Sequence, residues 1–183
     1  MHDYTYDIKT ETLPSGRTYF TPDGDFPSIT TILGKTSNQV WLQAWKDKVG
    51  EEEAARISKV ATDRGTLVHS YAEKFFNKED IYGDLATESS DVIQMTKDLI
   101  KLVKSGVTNI WGQELVLWSR DLQFAGRTDM VGEWKGIPAI IDFKTSRKKK
   151  YIKQIKDYFL QCAGYAYAHN ELYGTNIKKI VIA

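Results

Sequence analysis

Nothing in this 183-residue sequence approaches the run of about 20 apolar side chains that a membrane-spanning helix requires, so no membrane partner is expected. The first residues, Met1-His2-Asp3-Tyr4, have neither the basic nor the apolar region of a secretory signal, and they are too acidic for a mitochondrial transit peptide. A single cysteine, Cys162, excludes an internal disulfide and agrees with a reducing compartment; the expected location is cytoplasmic. There is no repeat and no low-complexity tract. Nor is there an excess of cations: 25 Lys and Arg stand against 24 Asp and Glu, a net charge of +1. A nucleic-acid partner would therefore have to be held by a local patch. What remains is ordinary globular composition in a length suited to one core, so a single domain over 1–183 is the default.

The informative stretch runs from Gly126 to Ser146. It predicts two strands, Gly126–Trp134 and Pro138–Lys144, joined by a turn at Lys135-Gly136-Ile137-Pro138. Ala139-Ile140-Ile141 is a short apolar run that suits a buried strand, yet the strand continues into Asp142 and Lys144. A buried charge costs several kcal/mol unless it is paired or binds a metal. Period-two alternation puts Asp142 and Lys144 on one face and Phe143 on the other. A turn centred near Gly136 sets Asp129 across from Lys144, and cross-strand neighbours lie about 5 Å apart. Asp129, Asp142 and Lys144 are thus expected to converge, either as a divalent-metal site beside a cationic group or as an ion pair capping the strand ends.

Along the rest of the chain, residues 1–27 form a turn-rich lead-in, with a small hairpin expected around Leu13–Phe20. Ser28–Leu33 is β-branched and breaks at Gly34. Ser37 can cap a helix to about Val49 that carries Trp41 and Trp45 on one face. A second helix begins at Glu51-Glu52-Glu53 and runs to about Thr62. After Thr62-Asp63-Arg64-Gly65 another should follow, with Leu67, Val68, Tyr71, Ala72, Phe75 and Phe76 buried and with His69 one turn before Glu73. Asn77–Ala86 reads as a polar connection, and Thr87 or Ser89 opens an amphipathic helix to Lys104. Val107–Ser119 is a strand turned back at Arg120-Asp121, which sets Glu114 across from Arg127 and diagonal to Asp129. Glu114 is either a third carboxylate of the site or the partner of Arg127. Beyond Lys144, the cations Arg147, Lys148, Lys149 and Lys150 form a solvated loop or a set of phosphate contacts. A helix over about Lys153–Tyr173 puts Gln161 and Tyr165 on one face, and a last strand covers Ile177–Ala183.

This order of elements, with Asp129 followed by Asp142-Phe143-Lys144, resembles the PD-(D/E)XK nuclease superfamily. The resemblance implies an α/β fold: a mixed central sheet flanked by helices, the α-β-β-β-α-β core of restriction endonucleases, with an N-terminal helical elaboration. Gly65-Thr66-Leu67-Val68-His69 looks like the G-x-x-x-H box of the RecB-like exonuclease branch. Glu114, Gly126-Arg127-Thr128-Asp129 and Asp142-Phe143-Lys144-Thr145-Ser146 look like its metal and lysine motifs, and Gln161-Cys162-Ala163-Gly164-Tyr165 like its Q-x-x-x-Y box. Pro27–Leu33 followed by Trp41, Trp45 and Lys46 is similar to the mitochondrial genome maintenance exonuclease group and its phage relatives. Without a transit peptide, the chain reads as a phage or bacterial member. RecB-like nucleases usually continue past their last strand, so an end at Ile182-Ala183 implies a minimal or truncated form. No cysteine cluster is present, so no iron–sulfur cluster is expected.

What the resemblance implies is metal-dependent hydrolysis of DNA, from single-stranded ends. The ion would be Mg²⁺ or Mn²⁺, held by Asp129, Asp142, the Phe143 carbonyl and Glu114, with His69 completing one shell and favouring manganese. Lys144 would orient the attacking water and stabilise charge on the phosphate, with Gln161 and Tyr165 positioning it. Arg64 and the Arg147–Lys150 run would contact the DNA backbone. Trp41 and Trp45 would stack on unpaired bases or pack as a helix core face. The alternatives are a DNA-binding or recombination accessory on the same fold and a structure-specific endonuclease.

Overall fold

The structure is a computed structural model that describes residues 4–37 and 40–183, apart from the side chain of Trp41. The chain divides into two compact units that interleave in sequence. The first comprises residues up to Thr36, Leu102–Phe143 and Lys150–Ala183; the second comprises Ser37–Lys101 and Lys144–Lys149.

The first unit is built on two sheets. Strands β1 (Lys9–Leu13), β2 (Gly16–Thr21) and β3 (Gly24–Pro27) form an antiparallel meander, a fuller structure than the single hairpin expected there. Strands β4 (Val107–Ser119), β5 (Phe124–Trp134), β6 (Ile137–Asp142) and β7 (Lys179–Ile182) follow in sheet order β4-β5-β6-β7. The first three are antiparallel, and β7 joins β6 in parallel. A parallel neighbour needs a long crossover, and helix α6 (Lys156–Tyr173) provides it. This is the mixed, helix-flanked sheet that the resemblance implies. One core cluster joins Leu117, Phe124, Val131 and Ile140 of the sheet to Cys162, Tyr165, Ala166 and Ala168 of α6 and to Ile29. A smaller one joins Trp118 and Ala125 to Tyr19 and Phe26 of the meander. The buried stripe of α6 is therefore Gln161, Cys162, Tyr165, Ala166, Ala168 and His169, whereas Phe159 and Tyr167 face outward.

Ile29 belongs to helix α1 (Ile29–Thr36), formed by the β-branched stretch. Capping decides this: the Thr31 N–H donates to Ser28 Oγ at 3.0 Å, satisfying a helix-start donor that β-propensity does not count. The β5–β6 turn is two residues long, with Trp134 paired to Ile137 and positive φ at both Lys135 (53°) and Gly136 (75°), as a type I′ turn requires.

The second unit is helical: α2 (Val40–Val49), α3 (Glu51–Phe76), the short α4 (Tyr82–Leu85) and most of α5 (Ser90–Lys104). Helix α3 runs unbroken for 26 residues where two helices were expected. An interior glycine costs only about 1 kcal/mol, too little to break a helix held along its length. Val68, Tyr71 and Ala72 are buried as expected, but Leu67 is exposed.

Candidate active site

The β5–β6 ladder ends at Met130 opposite Ile141, so the next position sets Asp129 against Asp142. This corrects the expected pairing of Asp129 with Lys144, which lies beyond the end of β6. Past that point the Phe143 N–H donates to Asp129 Oδ2 at 2.5 Å, so the Asp129 side chain takes the hydrogen bond in place of a ladder carbonyl. Asp142 is only 1% exposed, and Phe143 is buried beside it in sequence. Two hard carboxylates, one deeply buried, therefore stand where the β5–β6 ladder ends, Asp129 midway along β5 and Asp142 as the last residue of β6.

Helix α6 brings the Q-x-x-x-Y pair to this place. Gln161 Nε2 donates to Tyr165 Oη at 2.9 Å, within one buried turn. Burial pushes the Tyr165 pKa well up; the Gln161 bond opposes this, and the charges of Asp142, and more weakly Tyr19 and Asp129, raise it further. Tyr165 is accordingly a neutral phenol that feels both carboxylates and keeps a proton to donate. Its approach depends on Gly126, where an added Cβ would lie 2.6 Å from Tyr165 Cε1.

Glu114 takes an unexpected geometry. Arg127 pairs in register with Val116 rather than Glu114, and the flanking pairs, Gln113 with Met130 and Leu115 with Thr128, leave Glu114 facing Asp129. Its backbone is left-handed there (φ 51°), which is uncommon outside glycine. The side chain nonetheless lies 3.8 Å from Arg127 Nη1, the ion pair weighed as its alternative role. Glu114 and Arg127 line a cleft of about 240 Å³ with Tyr4, Tyr6, Asp7 and Tyr173, a cleft that includes neither Asp129 nor Asp142. Among the described residues, no three His, Cys, Asp or Glu side chains gather as a ready metal cage.

The remaining candidates fall in the second unit, except Lys150. His69 is half-buried on α3, one turn before Glu73, with Arg64 earlier on the same helix. An added Cβ on Gly65 would come 3.2 Å from Thr145 Oγ1, so the Thr145 loop lies close against α3 there. Lys144 is half-buried, while Lys148 and Lys149 are exposed. Arg147 is ion-paired with Asp91, a carboxylate with which a phosphate would compete. In the first unit, Lys150 Nζ donates to Tyr158 Oη at 2.5 Å. Trp45 is half-buried on α2, and the Trp41 side chain lies outside the described residues.

Two residues outside these motifs organise the site's supports. His169 is fully buried: Nδ1 lies 2.7 Å from Thr175 Oγ1 and Nε2 lies 2.9 Å from Tyr4 Oη. Because Thr175 donates its hydroxyl proton to Asn170 Oδ1, its oxygen accepts from His169 Nδ1, leaving Nε2 to accept from Tyr4. The i, i+4, i+8 spacing of Gln161, Tyr165 and His169 is the sequence signal for its placement. Glu171 Oε2 accepts from Ser119 Oγ at 2.6 Å, and Oε1 accepts from the Arg120 N–H at 3.0 Å, tying the β4–β5 turn to α6.

No family profile matches the chain. It is 28% identical over 162 residues to mitochondrial genome maintenance exonuclease 1 of Xenopus tropicalis, a match covering 81% of this chain and 44% of that protein. It is 26% identical over 153 residues to the protein of the same name from Mus musculus, covering 79% and 44%. The chain thus spans less than half the length of these curated relatives, and the likeness extends over about four-fifths of its own.

Proposed function

We propose that this chain is a divalent-metal-dependent deoxyribonuclease of the PD-(D/E)XK type, RecB-like, that removes nucleotides from single-stranded DNA ends. The observation that carries this reading is Asp129 set against Asp142 where the β5–β6 ladder ends, both felt by the Tyr165 phenol. The exonuclease name of the two relatives supports the reaction class and DNA as the substrate.

The donor chemistry fits Mg²⁺ or Mn²⁺. Such ions are held by one or two carboxylates together with water and substrate phosphate, so a cage of three protein ligands is not required. Asp129, Asp142 and the Phe143 carbonyl would hold the ion, with Glu114 and His69 as further ligands. When bound, it would neutralise the scissile phosphate and make the attacking water more acidic. Lys144 adds a second positive charge for the charge that builds on the phosphate. Tyr165, held protonated, donates a hydrogen bond to the same anionic centre, and Gln161 fixes its ring. Arg64, Lys148 and Lys149 hold the DNA backbone, Arg147 joins them at the expense of Asp91, and Trp45 and Trp41 stack on unpaired bases.

Incubation of end-labelled single-stranded, duplex and covalently closed circular DNA with Mg²⁺ or Mn²⁺ tests the proposal. The expected result is metal-dependent shortening of the linear single strand, lost in Lys144→Ala, with the closed circle intact. Cutting of the circle would make the protein an endonuclease with the same chemistry. Binding of DNA without hydrolysis under either metal would make it an accessory on a nuclease fold.

A further inference from the structure

The segment from Arg147 to Lys156 reads R-K-K-K-Y-I-K-Q-I-K, six cations and no carboxylate in ten residues. With the whole chain at +1, the other residues carry a net −5, so this is a strong local concentration of positive charge. Within the first unit, the stretch from Lys150 onward is a held structure. Lys150 donates to Tyr158 and lies over its ring, 4.8 Å from the centroid. Tyr151 and Gln154 bond reciprocally: the Tyr151 N–H donates to Gln154 Oε1 at 2.8 Å, and the Gln154 N–H donates to the Tyr151 carbonyl at 2.8 Å. These bonds close a single 3₁₀ turn, Ile152–Gln154. The turn presents Tyr151 and Ile152 at 70% and 76% exposure, although both are large and apolar and Lys153 and Lys156 stand beside them in the chain.

We infer that this turn is a stacking platform for unpaired bases of single-stranded DNA. The inference deepens the nuclease reading and rests on it. An exposed aromatic ring carried by an ordered turn among cations suits a single strand: the cations track the phosphates and the ring takes a base, whichever base arrives. A duplex offers its phosphates to the same lysines but keeps its bases stacked away from Tyr151. The turn therefore discriminates strandedness through Tyr151 and Ile152, and supplies non-selective affinity through Lys153 and Lys156. Because the turn is already ordered, little conformational freedom is lost on binding.

The test is fluorescence anisotropy of the full chain in EDTA, with labelled oligothymidylate and with a blunt duplex. Tyr151→Ala should weaken oligothymidylate binding by about 5- to 150-fold and leave duplex binding unchanged. Tyr151→Phe, which keeps the ring, should restore it, and Ile152→Ser should weaken the single strand alone. Lys153→Gln should weaken both substrates and lower the salt slope for the single strand by about 0.7. Native-like oligothymidylate binding by Tyr151→Ala, or equal losses on both substrates, overturns the inference. Both side chains project into solvent, so circular dichroism should match the native protein and exclude misfolding. If Tyr151→Ala behaves as expected while the native chain cuts no DNA with any metal, the nuclease reading falls and the platform stands. If the chain cuts DNA and Tyr151→Ala binds like the native chain, only the platform falls.

Discussion

Glu171 offers the sharpest test of how α6 is fixed to the sheet. Its side chain is only 11% exposed, and burial alone would raise its pKa. Hydrogen bonds from Ser119, the Arg120 N–H, the Arg120 guanidinium and the Asp121 N–H outweigh burial and hold the carboxyl below its ordinary value of about 4.5. A depressed folded pKa means the charged form is the stabilising one. Its contribution is present above the unfolded pKa and is lost as pH falls through the folded value. Glu171→Gln keeps the shape but removes the charge, and it leaves the buried Ser119 hydroxyl facing an amide NH₂ instead of an acceptor. Hydrogen bonds to a charged group contribute about 1.5–3 kcal/mol against about 1 for neutral ones, so a loss of about 1–3 kcal/mol is expected at neutral pH. For a chain of this size each kcal/mol lowers Tm by roughly 2–4 °C. Urea titrations of both proteins, at neutral pH and again below the carboxylate range, measure the difference. The gap should close in acid. A gap that is absent at neutral pH, or that persists unchanged in acid, refutes the account of Glu171 as a charged anchor.

Three further outcomes are expected. Gly126→Ala should cost about 1–3 kcal/mol in urea melts and reduce DNA cleavage beyond that stability loss, because the new Cβ meets the Tyr165 ring at 2.6 Å. Lys135→Asn should raise Tm, since the left-handed conformation costs an ordinary residue about 1–2 kcal/mol and Asn tolerates it; the Lys135 N–H bond to Gly106 O is kept. Mn²⁺ at 100 times its Kd should stabilise the native protein by about 2.7 kcal/mol in thermal melts, and Asp142→Asn should remove that gain without loss of the fold.

Much of this architecture was legible because each signal is local. Alternation and turn residues marked β4 to β6, and the resemblance implied the mixed sheet that β7 completes. Partners across the sheet were harder to read, because pairing magnifies errors in the turn. Moving the turn centre by one residue moves every partner by two. The actual turn, Lys135-Gly136, replaces Lys144 with Asp142 opposite Asp129. A shift of two preserves the face, so Asp142 takes the place opposite Asp129 that was expected of Lys144. The continuity of α3 through Gly65 and the left-handed Glu114 have no such local mark: the first is decided by the length of helix on either side, the second by the local path of the strand.

The end of the sheet and the site's geometry come from one substitution of partners. At Phe143 the N–H would ordinarily seek a carbonyl on β5, extending the ladder past Met130 and Ile141. The Asp129 carboxylate takes that N–H instead. Pairing with β5 stops, and β6 ends at Asp142, two residues before Lys144. A carboxylate that ends a strand in this way is itself oriented by the bond it makes. Replacing Asp129 by Asn keeps an acceptor for Phe143 but gives up the charge, so Asp129→Asn should fold with β6 ending in the same place and fail to cleave DNA. Asp129→Ala removes the acceptor as well, and should add a stability loss of about 1–3 kcal/mol from the unsatisfied Phe143 N–H. Equal stability of the Asn and Ala variants in urea would show that the carboxylate does not terminate the strand.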